Sequence, residues 1–153
     1  MNPIIPMWAL TGHPTTEQLH RELKKFRAGG VEQVMLYPRS GCEYEYMSEE
    51  WFRICGDCIS FAAENGMKIW LYDEFNWPSG SCGRRVPKLS REYCGKRLSK
   101  ENGKVSMEYA DPETAKFSAD LLNPEAVDRF IEMTHEKYAE RFSPYFGTTV
   151  LGF

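Results

Sequence analysis

The sequence lacks several features that mark common protein classes. It contains no run of 18 apolar residues, which excludes a transmembrane helix, and its first residues have neither the basic segment nor the long apolar segment of a secretory leader. It also lacks an excess of positive charge, because 19 Lys and Arg stand against 22 Asp and Glu, for a net charge of −3. Without a basic field we expect no nucleic acid partner and no membrane partner. These absences predict a cytoplasmic protein.

Cysteine is too scarce and too irregular for a disulfide framework. The five cysteines are Cys42, Cys55, Cys58, Cys82 and Cys94, an odd number that is typical of free thiols in a reducing compartment. Cys55 and Cys58 have the spacing of half a zinc site, but no second CxxC pair exists. Both fall on the helix face that carries Ile59 and Ala62, so core packing is the better interpretation. We therefore predict neither a metal ion nor a cofactor.

The length also excludes a complete eight-stranded α/β barrel, which typically needs about 250 residues, since the chain has 153. Hydrophobic residues make up 42% of the chain and charged residues 27%, as in ordinary globular domains. A chain of this length can bury a substantial core.

Apolar runs and helix caps alternate along the chain in a βα pattern. Residues 4–10, 31–37 and 67–72 predict strands. Thr15 opens a capping-box helix, Ser48 caps a second helix, and Asn123 followed by Pro124 starts a third. Residues 148–153 begin a fourth strand, and residues 74–122 predict a long irregular loop of functional type. This period predicts an α/β fold with parallel strands.

Strand parity separates an aliphatic face from a polar and aromatic face. The aliphatic side chains are Val34, Leu36, Ile69 and Leu71, and the opposite parity carries Gln33, Met35, Tyr37, Arg39, Trp70, Tyr72 and Glu74. Because ligands bind at the carboxyl ends of parallel strands, we expect a pocket there formed by Arg39, Tyr72, Asp73, Glu74 and Trp77. Carboxylates beside flat aromatic rings are suited to sugar hydroxyls and to the apolar face of a sugar.

Alternatives remain for the acidic residues of this pocket. Asp73 or Glu74 could cap the following loop or pair with Arg39. As neighbours in a strand they point to opposite faces, so they cannot form the facing carboxylate pair of a glycosidase. His13, in the first strand-to-helix loop, is a candidate substrate contact, with an ordinary loop histidine as the alternative.

Four segments together resemble a known enzyme group. They are Tyr-Pro-Arg-Ser-Gly at 37–41, Ser-Glu-Glu-Trp at 48–51, Trp-Leu-Tyr-Asp-Glu-Phe-Asn-Trp-Pro-Ser-Gly at 70–80, and Leu-Leu-Asn-Pro-Glu-Ala-Val at 121–127. With them the chain resembles the N-terminal part of the catalytic barrel of α-L-rhamnosidase-like glycoside hydrolases. The string from Tyr72 to Gly80 is the most specific of the four.

The resemblance implies a partial (β/α)₈ TIM barrel that acts on O-glycosidic bonds of oligo- or polysaccharides such as α-L-rhamnosides. It implies Glu74 as the candidate catalytic residue and Arg39, Tyr72, Asp73 and Trp77 as substrate-binding residues. About three and a half βα units would be present, with the chain truncated in strand four and the second catalytic carboxylate beyond Phe153. We expect such a fragment to be inactive alone.

Two other interpretations fit the same sequence. The first is a non-catalytic α/β module that forms homo-oligomers through its open sheet edges and retains sugar binding. The second is a small complete α/β enzyme.

Overall fold

The strands and helices follow one another in the order that the sequence pattern predicts, with additional elements in the middle of the chain. A computed structural model describes residues 4–76, 78–111 and 119–153. The elements are β1 Met7–Gly12, α1 Thr16–Ala28, β2 Gln33–Cys42, α2 Glu49–Glu64, β3 Lys68–Leu71, α3 Arg85–Leu89, β4 Lys96–Glu101, β5 Lys104–Tyr109, α4 Pro124–Met133, α5 His135–Phe142 and β6 Val150–Gly152. Short 3₁₀ helices span Arg91–Tyr93 and Ser143–Tyr145.

Four strands form one parallel sheet in the order β1-β2-β3-β6. Leu36 is in register with Trp8 on one side and with Leu71 on the other, and Ile69 is in register with Val150. Among the described strands β1 and β6 lie at opposite edges and do not pair with each other.

The predicted partial TIM barrel is therefore wrong. The protein is a small α/β fold with an open four-stranded parallel sheet and a separate antiparallel pair, β4 and β5. A barrel closes only when its first and last strands pair, and about eight strands are needed to enclose a packed interior. The βα period predicts parallel strands in both folds, which is why it could not distinguish them.

The segment predicted to be an irregular loop contains α3, a 3₁₀ helix and the β4–β5 hairpin. The hairpin turns at Asn102 and Gly103, whose φ angles are 50° and 79°, a type I′ geometry that Asn-Gly favours. Leu98, Val105 and Met107 in its strands are 75%, 59% and 54% exposed. The Asn-Gly dipeptide was the sequence signal for this hairpin. The many charged residues around it concealed the alternation of side chains along the two strands.

The aliphatic face of the sheet forms the core, as predicted. Val34, Leu36, Ile69 and Leu71 are at most 1% exposed. Helices α1, α2, α4 and α5 contribute many of the other buried side chains of the same cluster. Within that cluster the indole N–H of Trp51 donates to the hydroxyl of Tyr138 at 2.8 Å, which joins α2 to α5.

The predicted helix starts are confirmed. Thr15 and Gln18 form a capping box, and the side chains of Ser48 and Asn123 accept backbone N–H bonds at the starts of α2 and α4. The last predicted helix is divided at Thr134, whose backbone (φ −122°, ψ −78°) leaves the helical region between α4 and α5. In the part of the chain that the structure describes, no helix is both long and apolar enough to cross a membrane.

Candidate functional site

The carboxyl ends of β2 and β3 lie next to each other and carry aromatic side chains. The rings of Tyr37 and Tyr72 meet edge to face, with centroids 4.7 Å apart. The Tyr37 hydroxyl donates to the carbonyl of Asn76 at 2.7 Å, which holds the loop after β3 against β2. Arg39 is exposed at the same end of β2. Trp77, the remaining aromatic residue of the predicted pocket, lies outside the described residues.

Glu74 is enclosed by the loop that follows it. Its side chain is 1% exposed, although it carries a carboxylate. Oε1 accepts backbone N–H bonds from Phe75 at 2.8 Å and Gly83 at 2.5 Å, and Oε2 accepts one from Ser81 at 2.6 Å. Burial raises the pKa of the Glu74 carboxyl, and these backbone donors counteract that rise. In this position Glu74 anchors the loop, as the alternative interpretation of the sequence held, and it does not face solvent.

Asp73 points into a different environment and pairs with a histidine. Its Oδ2 lies 3.3 Å from Nε2 of His135 at the start of α5, and the two side chains are 19% and 28% exposed. Burial alone would raise the pKa of Asp73, but hydrogen bonds from His135 and Ser79 and the charge of His135 outweigh it, so that pKa is lowered. Asp73 therefore remains an ionised, partly accessible carboxylate at neutral pH.

His135 is itself held by neighbouring groups. Its Nδ1 lies 3.0 Å from Oγ1 of Thr134, a fully buried hydroxyl that donates to the carbonyl of Phe130 at 2.5 Å. The ring of Phe153 meets the imidazole edge to face at 4.6 Å. The break between α4 and α5 thus places the imidazole at the end of β3 and orients it toward Asp73.

A cavity of about 350 Å³ opens beside the same strand ends. Residues 42–46, which follow β2, form one wall, and Phe75, Gly83 and Arg85 form the other. Arg85 spans the two walls, since its Nη2 donates to the carbonyl of Tyr46 at 2.8 Å and to Oε1 of Glu45 at 3.2 Å. The loop after β3, which Glu74 anchors, is therefore also part of this cavity.

His13 lies away from Asp73 in the packing of the first loop. Its ring stacks on Tyr44 with centroids 4.1 Å apart, and its Nε2 lies 3.3 Å from Oε1 of Glu50. Its side chain is 48% exposed. These contacts account for His13 as a loop residue, and its predicted contact with substrate stays a prediction.

The described residues contain no group of three His, Cys, Asp or Glu side chains that could hold a metal ion. Cys55 and Cys58 are completely buried, and burial raises the pKa of both thiols. Core packing therefore explains these two cysteines, as the sequence indicated.

The chain was compared with known proteins to place this site. No family model, no curated protein and no solved structure matches it. The resemblance to α-L-rhamnosidase-like glycoside hydrolases accordingly stays a prediction, and the chemistry of the site must be argued from its own residues.

Sequence reasoning identified Asp73, Glu74 and Tyr72 as neighbours at a strand end but missed two features. His135 carried no local signal, because its partner lies in a distant part of the chain and a single helical histidine is typical of a surface position. The cavity was missed because a charged stretch after a strand is typical of a solvated loop, whereas Tyr44 and Tyr46 are 3% and 5% exposed. The two glutamate and tyrosine pairs of that stretch alternate, which was the available hint.

Proposed function

We propose that this protein is a glycoside hydrolase that binds a sugar at the carboxyl ends of β2 and β3. The observation that carries the proposal is Asp73, an ionised carboxylate that is 19% exposed beside a pair of tyrosine rings. Glycosidases need a carboxylate at the anomeric carbon, and flat aromatic rings suit the apolar face of a sugar. The resemblance of residues 70–80 to α-L-rhamnosidase-like enzymes supports rhamnosides as the first substrates to test.

Asp73 takes the place that the sequence interpretation gave to Glu74. Its lowered pKa keeps it charged, so it can attack the anomeric carbon or activate a water molecule there. Glu74 cannot donate a proton to a substrate from its enclosure among backbone N–H groups. The leaving group must therefore depart without protonation by Glu74. This requirement favours substrates whose leaving group is stable as an anion.

The proposed location is the cytoplasm. All five cysteines are free, and four of them are buried. Free thiols are typical of proteins in reducing compartments. The proposed substrate is accordingly an oligosaccharide that reaches the cell interior.

Nitrophenyl glycosides test this function, because nitrophenolate leaves without protonation. We expect release of nitrophenolate from the α-L-rhamnoside, or from another sugar of a small panel, above the rate of a blank. Asp73→Asn should lower that rate by about 100-fold or more, the lower end of what a positioned acid–base group contributes. Asp128→Asn, the same change at an exposed position of α4, should leave it unchanged. Equal rates for the wild type and Asp73→Asn would refute the proposal.

A second candidate function is a non-catalytic module that binds sugar and self-associates. The enclosure of Glu74 favours it, because only Asp73 of the two adjacent carboxylates remains accessible. In that case sugar binding should be measurable by calorimetry while no nitrophenyl glycoside is hydrolysed. The two measurements on the same preparation distinguish the two functions.

A further inference from the structure

The cavity beside the strand ends has the size and lining of a small-molecule site. Its volume of about 350 Å³ lies at the lower end of the range for ligand pockets, roughly 300–1,000 Å³. Its walls are two separate loops, residues 42–46 after β2 and the loop after β3 that contains Phe75 and Gly83.

The polar groups in this cavity are held in place by the backbone. Arg85 donates to the carbonyl of Tyr46, a fixed main-chain acceptor, and its guanidinium also reaches the carboxylate of Glu45. The Glu45 side chain is 80% exposed and the Arg85 side chain 37% exposed. The bond to the Tyr46 carbonyl therefore orients the Arg85 guanidinium, and both side chains keep hydrogen-bonding capacity toward the cavity.

Apolar surface lines the same cavity. Phe75 is partly exposed, whereas Tyr44 and Tyr46 are buried beneath the wall, and the ring of Tyr46 packs 6.3 Å from that of Phe75. A ligand in the cavity would thus contact both an aromatic ring and a charged hydrogen-bonding pair. Sugar rings combine an apolar face with a rim of hydroxyl groups, which matches this arrangement.

Glu74 holds the wall that carries the aromatic ring. Its Oε1 accepts N–H bonds from Phe75 and Gly83, both of which line the cavity. Gly83 has a φ of 61°, and a Cβ atom there would lie 3.5 Å from the ring of Tyr46. The buried carboxylate of Glu74 is therefore a positioning group for the cavity. It has this structural role although it takes no part in the proposed hydrolysis.

The charges around the cavity disfavour an anionic ligand. Glu43 and Glu45 contribute two carboxylates to the lining, against the single guanidinium of Arg85. Carboxylated or phosphorylated sugars would meet repulsion from the two carboxylates, and Arg85 is already paired with one of them. Sugar hydroxyls can donate to Glu45 and accept from Arg85 without a net charge.

From this geometry we propose that the cavity is a subsite that binds one neutral sugar ring, stacked on Phe75 and hydrogen-bonded by Arg85 and Glu45. This inference rests on the proposed function, because it identifies where a sugar would be held at the carboxyl ends of β2 and β3. It assigns Phe75, Arg85 and Glu45 to substrate binding, roles that the sequence did not indicate.

Cys42 provides a direct readout of occupancy. It lines the cavity and is half-buried, whereas the other four cysteines are buried. Alkylation of Cys42 by iodoacetamide at mildly alkaline pH, followed by mass spectrometry, measures access to the cavity. A neutral methyl glycoside at ten times its Kd should slow alkylation by about tenfold, because only the free protein reacts. Unchanged alkylation at a concentration that saturates binding in calorimetry would overturn the proposal.

Variants test the assigned contacts. Arg85→Lys keeps the charge but loses the planar fork, and we expect it to raise the Kd of the methyl glycoside by about tenfold, the equivalent of one charge-assisted hydrogen bond. Phe75→Leu should raise the Kd similarly by removing the flat ring. Arg84→Lys is the matched control at the exposed neighbouring arginine and should have no effect. An unchanged Kd in both Arg85→Lys and Phe75→Leu contradicts the proposal.

A charged sugar tests the chemical class. Glucuronate, compared with a methyl glycoside, should protect Cys42 less well at equal concentration, because the carboxylates of Glu43 and Glu45 repel its own carboxylate. Tighter binding of glucuronate would overturn the assignment of a neutral ligand.

The failure of this inference can be distinguished from the failure of the proposed function. If Asp73→Asn abolishes hydrolysis while Arg85→Lys and Phe75→Leu change neither Kd nor KM, the protein is a hydrolase and the subsite is wrong. If sugars protect Cys42 and the two variants weaken binding, the subsite stands even where no hydrolysis occurs.

Discussion

Asp73 and Glu74 are neighbours in the sequence, yet their carboxylates have opposite surroundings. Glu74 is 1% exposed and accepts backbone N–H bonds, whereas Asp73 is partly exposed and pairs with His135. Both lie in the loop after β3, where Glu74 turns into the loop and Asp73 turns toward His135 of α5. At the residue scale this difference assigns an anchoring role to Glu74 and leaves Asp73 for chemistry.

The anchoring role of Glu74 predicts a large loss of stability in Glu74→Gln. The change removes the negative charge to which several backbone N–H groups donate. It also turns an amide N–H₂, itself a donor, toward some of these N–H groups. We expect the free energy of unfolding in urea to fall by about 2–4 kcal/mol, since buried donors are left without good acceptors. Glu32→Gln, the same change at an exposed position, should alter it by less than about 0.5 kcal/mol. Equal stability of the two variants would show that the enclosed carboxylate is dispensable.

The stability that Asp73 contributes should depend on pH in the acid range. Its pKa is lower in the folded protein than in the unfolded chain, where it is about 3.9, so the ionised form stabilises the fold. This contribution is complete above the unfolded pKa and is lost as the pH falls through the folded pKa. We therefore expect Asp73→Asn to be less stable than the wild type at neutral pH, with a difference that shrinks below about pH 4.

Urea unfolding at several pH values, with Asp128→Asn as the control, measures this dependence. His135→Gln should reduce the pH dependence in the same range, because it removes a hydrogen bond that lowers the pKa of Asp73. A stability difference between the wild type and Asp73→Asn that stays constant from neutral to strongly acid pH would contradict the assignment.

At the scale of elements, local capping chemistry places the helices that carry the site. Thr15, Ser48 and Asn123 each accept a backbone N–H bond at the first turn of a helix. The helix that was predicted to continue past Thr134 instead breaks there, and the break puts His135 at the start of a new helix, α5. The caps are local, whereas the break is associated with the contact of His135 with Asp73, in the loop after β3.

The cap of α2 gives a test at this scale. Ser48→Ala removes the side-chain acceptor of the Trp51 N–H bond, and we expect a loss of about 1 kcal/mol in the free energy of unfolding. Ser60→Ala makes the same change at an exposed interior position of α2, where Ala is the better helix former, and should be neutral or slightly stabilising. Thermal unfolding followed by circular dichroism distinguishes the two. Equal losses in both variants would exclude the capping role.

At the scale of the whole molecule, the parallel sheet is open and β1 and β6 form its edges. Unpaired edge groups of a sheet favour association with a second chain. Met7 in β1 is 49% exposed and Leu151 in β6 is 38% exposed, so apolar side chains accompany both edges. Homo-oligomer formation through the edges therefore remains our prediction.

Size-exclusion chromatography with light scattering tests this association. We expect a mass above that of the 17.7 kDa monomer at micromolar concentration, and Met7→Lys should shift the protein toward the monomer. Leu122→Lys introduces the same charge at a residue that is 94% exposed and outside the sheet, and should leave the mass unchanged. A monomeric wild type would exclude association through these edges.

Parts of the fold could be predicted because their causes are local. The periodicity of apolar residues indicated β1, β2, β3 and β6, their parity indicated the buried aliphatic face, and capping residues indicated three helix starts. The Asn-Gly turn of the β4–β5 hairpin had the same local basis but was overlooked. The aromatic and acidic strand ends also followed from strand parity, which placed Tyr72, Asp73 and Glu74 in one region.

What the sequence by itself determined is therefore the four parallel strands, the starts of three helices and the aliphatic face that β2 and β3 bury, since these depend on residues a few positions apart. Only the tertiary structure decided that the sheet is open, that Glu74 is enclosed, that His135 pairs with Asp73, and that two loops enclose a cavity. Each of these features depends on which distant segments meet, and a βα period is compatible with more than one such arrangement.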